Sequence, residues 1–392
     1  MSVQVIKLII FEFFIYANFG ALRLIIQYLD SLGFSATQIG ILVAAMPAIS
    51  IIANPFWFHI KDKFKSDKLP IVLIYGFSAV IIWIFYLLPG FFWKLFSYSL
   101  LSFFVASGMP VTESVVISRV YSSKGDFGKI RIFGTLGYAS STFLIGKLLK
   151  IDYRMLFILS TVYMFIILLN SITLRNEIHD NLRKEENKNS NEISGDYSKV
   201  EFILMLIFGS IGIMTAFFGA NFFPVLVNRL NFDPSSAGKG LSFMGLGELP
   251  FLLFSERLVR KFGNQFLLSI GIFLTGIRWL MTSSLSNETA VLMVQFLHGV
   301  NYIVMYYSIL TYIHKNIPFS KRNKIQGIYW MLTAGVGNIT GSLFGGIIID
   351  SIGIINTYKL VGFLDIIVGI VAAIVFYVLK HQNKIIETEV GE

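Results

Sequence analysis

The sequence predicts an all-α membrane protein of twelve transmembrane helices in two six-helix repeats. Three observations carry that prediction: too little charge for a water-facing surface, twelve apolar runs of spanning length, and turn motifs that recur at matching places in the two halves. Of the 392 residues, 55% are hydrophobic and 14% charged, and the mean hydropathy is +0.70. Soluble domains are about 45–50% apolar and about 25% charged. The 38 Phe, 17 Tyr and 5 Trp suit lipid-facing helices with aromatic belts at the interfaces. Absence of cysteine excludes disulfides, thiolate metal sites and Cys nucleophiles. The net charge of +9 is explained by the basic bias that keeps loops cytoplasmic, so no nucleic-acid partner is expected.

Taken in order, runs of about 20 apolar residues, enough to cross a hydrocarbon core, fall near 5–29, 38–59, 69–89, 93–118, 129–149 and 153–175. They resume near 200–228, 238–257, 265–285, 289–314, 326–349 and 356–380. The first run has no small-residue cleavage site and reads as a retained anchor. The expected division is a six-helix half over 1–175, a cytoplasmic linker over 176–199, a second half over 200–380 and a cytoplasmic tail over 381–392. The linker is polar throughout and has nothing to bury.

With both termini cytoplasmic, 23 of the 32 basic residues fall in cytoplasmic segments and seven, Lys94 among them, in outer ones. That bias fixes the orientation expected for a multi-pass protein of the cytoplasmic (inner) membrane. The repeat shows in GFSATQIG (Gly33–Gly40) and NFDPSSAGKG (Asn231–Gly240), which open the second and eighth helices. Each is followed by one helix and a basic turn, HIKDKFKSDK (His59–Lys68) or SERLVRKFG (Ser255–Gly263). Two halves related by an axis along the membrane normal is a common plan for secondary transporters, with the solute held in a polar cavity near the midplane.

Ionisable residues inside spanning helices are expensive and face the bundle interior with a partner. Glu113 on the fourth helix and Arg131 on the fifth lie at similar depth across a short turn, where they can pair; Arg131 read as an interfacial anchor is the alternative. Glu248 precedes Gly263 by 15 residues and Arg278 follows it by 15, which brings opposite charges to one level. His298 comes down from the other side towards the same depth. Glu12 and Asp365 lie well inside the first and twelfth helices and read as structural or solvent-facing. Arg23 can snorkel outward. The glycines of GNITGSLFGG (Gly337–Gly346) read as close-packing positions. No P-loop, dinucleotide fingerprint, HExxH, GxSxG or acidic metal cluster is present, so neither cofactor, metal nor catalytic residue is expected, and the chain does not read as an enzyme.

These residues resemble the major facilitator superfamily, in the branch of lactose permease, phenylpropionate permease and the nucleoside:proton symporters. GMPVTESVVISRVYSSKGDFGKIRIFGTLGY, from Gly108, is similar to the stretch joining helices four and five of that branch, where a Glu and an Arg 18 residues apart bind galactosyl hydroxyls. The resemblance gives that role to Glu113 and Arg131, with Phe133 and Gly134 following and Tyr138 in place of a sugar-stacking Trp. Gly247-Glu248-Leu249 is similar to the helix-eight Gly-Glu-Leu whose Glu contacts sugar and takes part in coupling. Arg278 and His298 fall where the branch has its buried Arg and His, and Asn221 matches its helix-seven pattern. The resemblance therefore implies substrate binding by Glu113, Arg131, Tyr138, Glu248 and Asn221, and proton coupling by Glu248, Arg278 and His298.

Departures accompany the match. Asn301 stands where the branch has its proton-accepting Glu, Ala216 and Gln295 stand for an Asp–Lys pair, and the turn after the second helix keeps Asp62 without the usual preceding glycine. The leading expectation is a monomeric proton-coupled symporter of a small sugar or oligosaccharide, embedded in lipid and working by alternating access. A carrier of an aromatic or organic acid or a nucleoside, favoured by Arg23, and an uncoupled uniporter, favoured by Asn301, stand as alternatives.

Overall fold

A few turn residues set the helix boundaries of this chain, and the same turn chemistry occurs twice. The computed structural model describes residues 3–122, 127–173 and 198–390, and every regular element among them is helical. The chain runs α1 (Val3–Arg23), α2 (Ile25–Ser31), α3 (Ala36–Lys63), α4 (Lys68–Leu87), α5 (Phe91–Ser122), α6 (Phe127–Leu149) and α7 (Arg154–Ile172). It continues as α8 (Lys199–Arg229), α9 (Ser235–Phe262), α10 (Asn264–Ser284), α11 (Glu288–Val294), α12 (Val304–Asn316), α13 (Phe319–Trp330), α14 (Asn338–Ile352) and α15 (Ile354–Val390). The expected linker lies outside the described residues apart from its last two positions, where α8 begins.

Among the described residues eleven runs are long and apolar enough to cross a membrane, with α1–α2, α11–α12 and α13–α14 each forming one run. The twelfth expected span is α9, 28 residues long. Lys239, Glu248 and Glu256 and a stretch of small residues dilute its apolar character. A span that carries working polar groups is the one hydropathy registers least.

The two turns that open α3 and α9 are built alike. Gly33 and Asn231 both adopt positive φ, 82° and 55°, a region open to Gly and to Asn but costly for most side chains. Each lets the next residue reach back across the helix end: the Phe34 N–H donates to the Leu29 carbonyl and the Phe232 N–H to the Val227 carbonyl. The residue after each Phe then caps the following helix. Ser35 and Gln38 form a reciprocal capping box on α3, and the Asp233 carboxylate accepts the Ser235 N–H at 2.9 Å. The basic turns match too, with Lys65 (φ 44°) and Gly263 (φ 82°) each following a phenylalanine. The short sequence likeness between the halves is thus a likeness of backbone.

The helices cluster into two compact units. One comprises Met1–Asn189 with Asn221–Leu246 and Ser342–Ser351; the other comprises Ser190–Ala220 with Gly247–Gly341 and Ile352–Glu392. In the first, α1 packs on α6 and α7, and α5 on α3 and α4. A polar seam ties in the end of α8: Gln27 donates to the Asn228 side chain, Asn228 to Asp30, and Arg229 sits 3.4 Å from Asp30. Asp350 of α14 accepts the N–H groups of Ala36 and Thr37 at 3.0 and 2.8 Å, a carboxylate on a helix N-terminus. In the second unit α10 packs on α15 and α12 around Leu268, Ile272, Met305 and Ile309. The expected packing role of the α14 glycines holds: a side chain at Gly341 would meet the Met214 carbonyl, and one at Gly346 that of Ala36.

One expectation is sharpened and one corrected. Lys94, counted above among the outer-segment cations, is buried in the first turn of α5, where its ammonium donates to the Phe85 and Tyr86 carbonyls and the Tyr28 hydroxyl. It caps the end of α4 and does not sit in water. Arg23 does not snorkel outward either. Its Nη1 donates to the Asn221 carbonyl oxygen at 2.6 Å.

Candidate functional site

Two clusters of ionisable side chains lie inside the spanning helices, one in each unit. The first is assembled by a contact between α1 and α6 that only glycine permits. A Cβ at Gly137 would lie 2.1 Å from the Phe13 carbonyl oxygen, and one at Gly134 would lie 2.7 Å from both the Tyr16 ring and Arg131 Nη1. With the backbones this close, α1 presents Glu12 and Tyr16 to the guanidinium of Arg131.

Arg131 Nε stands 3.6 Å from Glu113 Oε1 and 3.7 Å from Glu12 Oε1. Its guanidinium lies over the Tyr16 ring, 3.9 Å from the centroid, a stacked cation–π arrangement. The Tyr16 hydroxyl donates to Glu113 at 3.1 Å. Glu113 and Arg131 thus lie within ion-pair distance of each other. Exposure divides the cluster: the Arg131 and Glu113 side chains are 35% and 25% accessible, whereas Glu12 is fully buried. Neither Glu12 oxygen receives a hydrogen bond, and Arg131 Nη1 has no acceptor. Tyr138, two helical turns beyond Arg131, borders Gly245 of α9 and lies 6.0 Å from Phe19, ring to ring.

The second cluster rests on another backbone contact. A Cβ at Gly299 would lie 1.9 Å from the Gly247 carbonyl oxygen, and one at Gly247 would lie 2.4 Å from that of Phe296. These glycines flank Glu248 and His298 in sequence, so the contact sets the two side chains against each other. His298 Nε2 is 3.3 Å from Glu248 Oε1, and His298 Nδ1 is 2.8 Å from Arg278 Nη1. Arginine can only donate. Nδ1 must therefore accept, and the ring proton on Nε2 faces Glu248. Arg278 Nη2 donates to Gln295 Oε1 at 2.8 Å, and Gln295 in turn donates to Thr282 and to the Val291 carbonyl.

Glu248 and Arg278 thus communicate through His298, a link that placing them at one depth does not reveal. The run tightens to a 3₁₀ turn at Gln295–Leu297 and widens to a π turn at Gly299–Ile303, a distortion common at functional positions. Asn301 sits in the widened turn with its amide, oriented by its surroundings, donating to carbonyls of its own helix.

The remaining predicted residues lie apart from both clusters. Asn221 is buried, accepting from Arg23 and donating to Ser342 at 3.0 Å. Asp62 is exposed, and it is Asp67 that takes the ion pairs of that turn, 3.4 Å from both Lys61 and Arg119. Asp365 is fully buried with one oxygen held by Thr215 at 2.8 Å. A groove of about 940 Å³ between the ends of α8, α10 and α15 is lined by Lys261, Gln265, Phe266 and Tyr377 and includes no member of either cluster. Among the described residues no group of His, Asp and Glu has metal-binding geometry. Glu12 is the member that sequence reasoning missed. Its only signal was a carboxylate in mid-helix, which reports depth and leaves rotation open.

The apolar helices and these buried charges describe a multi-pass membrane protein. A family model described as "MFS_1 like family" matches residues 5–360, and the chain belongs to that family of the major facilitator superfamily. It is 24% identical over 345 residues to an uncharacterized transporter, YwbF, of Bacillus subtilis (strain 168), covering 85% of this chain and 83% of that one. It is also 24% identical over 353 residues to a maltose permease of Geobacillus stearothermophilus, covering 87% and 86%. The fold matches that of the nucleoside transporter NupG with a TM-score of 0.79 at 16% identity, over 96% of this chain and 99% of that one.

Proposed function

We propose that the protein is a secondary active transporter that couples movement of a neutral, sugar-bearing solute to protons by alternating access. The observation that carries this reading is the Arg131–Glu113 pair, a partly accessible ion pair inside a membrane-spanning bundle with a guanidinium N–H unsatisfied. Such a pair offers a fixed donor fork beside a charged acceptor. A sugar hydroxyl both donates and accepts, and hydrogen bonds to ionised groups are the stronger ones. Tyr138, on the same face of α6, supplies a ring for the apolar face of the solute. Glu248 is the coupling carboxylate, because His298 is committed to accepting from Arg278 and cannot take a second proton without losing that bond. Asn221 contributes by holding Arg23. The protein works as a monomer in the lipid of the cytoplasmic membrane, with both termini on the cytoplasmic side.

A sugar or oligosaccharide is the first choice of solute, supported by the similarity to a maltose permease. A nucleoside is the second reading. One structural neighbour is a nucleoside transporter, and ribose would present hydroxyls to the same pair. A thermal-shift screen of the purified protein against disaccharides, nucleosides and aromatic acids separates these. A ligand at a hundred times its Kd adds about 2.7 kcal/mol. Stabilisation by a sugar is expected, stabilisation by nucleosides alone selects the second reading, and stabilisation by aromatic acids alone contradicts both.

A further inference from the structure

We infer that Glu12 is a proton-binding site, holding a proton while Arg131 is engaged by Glu113 and giving it up when the guanidinium turns to Glu12. This goes beyond the proposed transport, since it concerns a residue to which that proposal gives no role and requires no particular solute.

The argument starts from charge. Glu12, Glu113 and Arg131 bring two carboxyl groups to one guanidinium, both at the same nitrogen, Nε. The two stand at nearly equal distance from it, but Glu113 has the better environment: it accepts from the Tyr16 hydroxyl, and a quarter of its surface reaches solvent. Glu12 has none of this. It is fully buried, and neither oxygen receives a hydrogen bond. A carboxylate taken from water without donors costs several kcal/mol, and a second negative charge beside the first adds to that. A carboxylic acid in the same place is neutral and removes both penalties.

Among the described residues Arg131 is the cation within electrostatic reach of Glu12. On α1, Tyr16 is turned to Glu113. On α4, Tyr75 is the ionisable group within electrostatic reach of Glu12. On α7, Tyr163 faces Phe14. Arg131 is the cation that faces Glu12 among the described residues, so the proton on Glu12 and the Glu113–Arg131 pair are linked. With Glu12 protonated the guanidinium stays with Glu113. With Glu12 ionised the two carboxylates divide it. Proton binding at Glu12 thus sets the pairing that meets a hydroxyl-bearing ligand. In the step itself the carboxylate takes one proton from a hydronium ion, whose O–H bond breaks to leave water as the carboxyl O–H forms, and release reverses it.

Infrared spectroscopy of the purified chain at neutral pH tests this without any solute, since a protonated carboxyl has a C=O band distinct from that of a carboxylate. The wild type should show that band, Glu12→Gln should lose a component of it, and Asp365→Asn should retain that component. Glu113→Gln removes the competitor and hands Arg131 to Glu12, so the same component should disappear; Arg131→Met should preserve it. A purely structural Glu12 would not respond to Glu113 in this way. Should Glu12→Gln fail to fold, the Glu113 and Arg131 variants decide the matter. An unchanged band in Glu12→Gln, or in Glu113→Gln, overturns the inference. Failure of the transport proposal would appear separately, as absence of uptake by a protein that still shows the band.

Discussion

The cluster around Arg131 and the cluster around Arg278 use the same residue types to opposite ends. Arg131 is 35% accessible, faces two carboxylates, and keeps a nitrogen without an acceptor. Arg278 is fully buried, its terminal nitrogens bonded to His298 and Gln295 and its Nε left without an acceptor where no solvent reaches it. The first arrangement has spare donors and acceptors that a ligand can complete. The second is a chain, Glu248–His298–Arg278–Gln295–Thr282, in which each member orients the next. An accessible pair with open donors suits recognition, and a fully buried chain of hydrogen bonds suits holding geometry and passing charge.

That contrast predicts where each cluster fails. Arg278→Ala strands a buried histidine and glutamine, and breaking such a network should cost about 3–5 kcal/mol, read as a large drop in Tm. Arg131→Ala should cost under about 1 kcal/mol of stability, since part of the residue already meets solvent. It should weaken solute binding roughly 10- to 100-fold through loss of hydrogen bonds to a charged group. Equal drops in Tm for the two variants would erase the distinction. Next in size is Gly299→Ala, whose Cβ would overlap the Gly247 carbonyl. Parting those helices should cost about 1–3 kcal/mol and uncouple Glu248 from His298, and a Tm within a degree of wild type would refute the contact.

The smallest effect lies between helices α6 and α9. Burial opposes ionisation of Asp233, yet the Lys150 ammonium and the Ser235 hydroxyl and N–H hold it down at about 2. A depressed carboxylate stabilises the fold fully above its ordinary value, near 4, and loses that contribution as pH falls towards 2. Asp233→Asn should flatten the acid limb of the Tm profile over that window and leave neutral-pH stability slightly reduced. A steeper acid limb in the variant contradicts this.

Much of the architecture is legible in the chain because membrane burial writes it in runs of apolar residues. The Gly33-Phe34 and Asn231-Phe232 turns were readable as a repeat since both must supply the same positive φ. Depth along a helix is equally readable, which is why Glu113 and Arg131, and Glu248 and His298, come together as expected. Rotation about the helix axis is not. Glu12 looks like any mid-helix acid until Gly137 brings α1 against α6, and Lys94 looks like a loop cation until α4 ends beneath it. Asn301 lies where the family resemblance places a proton acceptor, but the π turn directs its amide to its own backbone. Distortions of that kind leave no periodic trace.

The central claim is that this scaffold moves a sugar-bearing solute together with protons. Its most direct test is uptake of labelled maltose, with uridine in parallel, into proteoliposomes under an imposed proton gradient. The account predicts accumulation above the equilibrium level with alkalinisation of the proton-rich side, abolished by collapsing the gradient and by Arg131→Ala. Simple equilibration of both solutes, with no movement of protons, would contradict it.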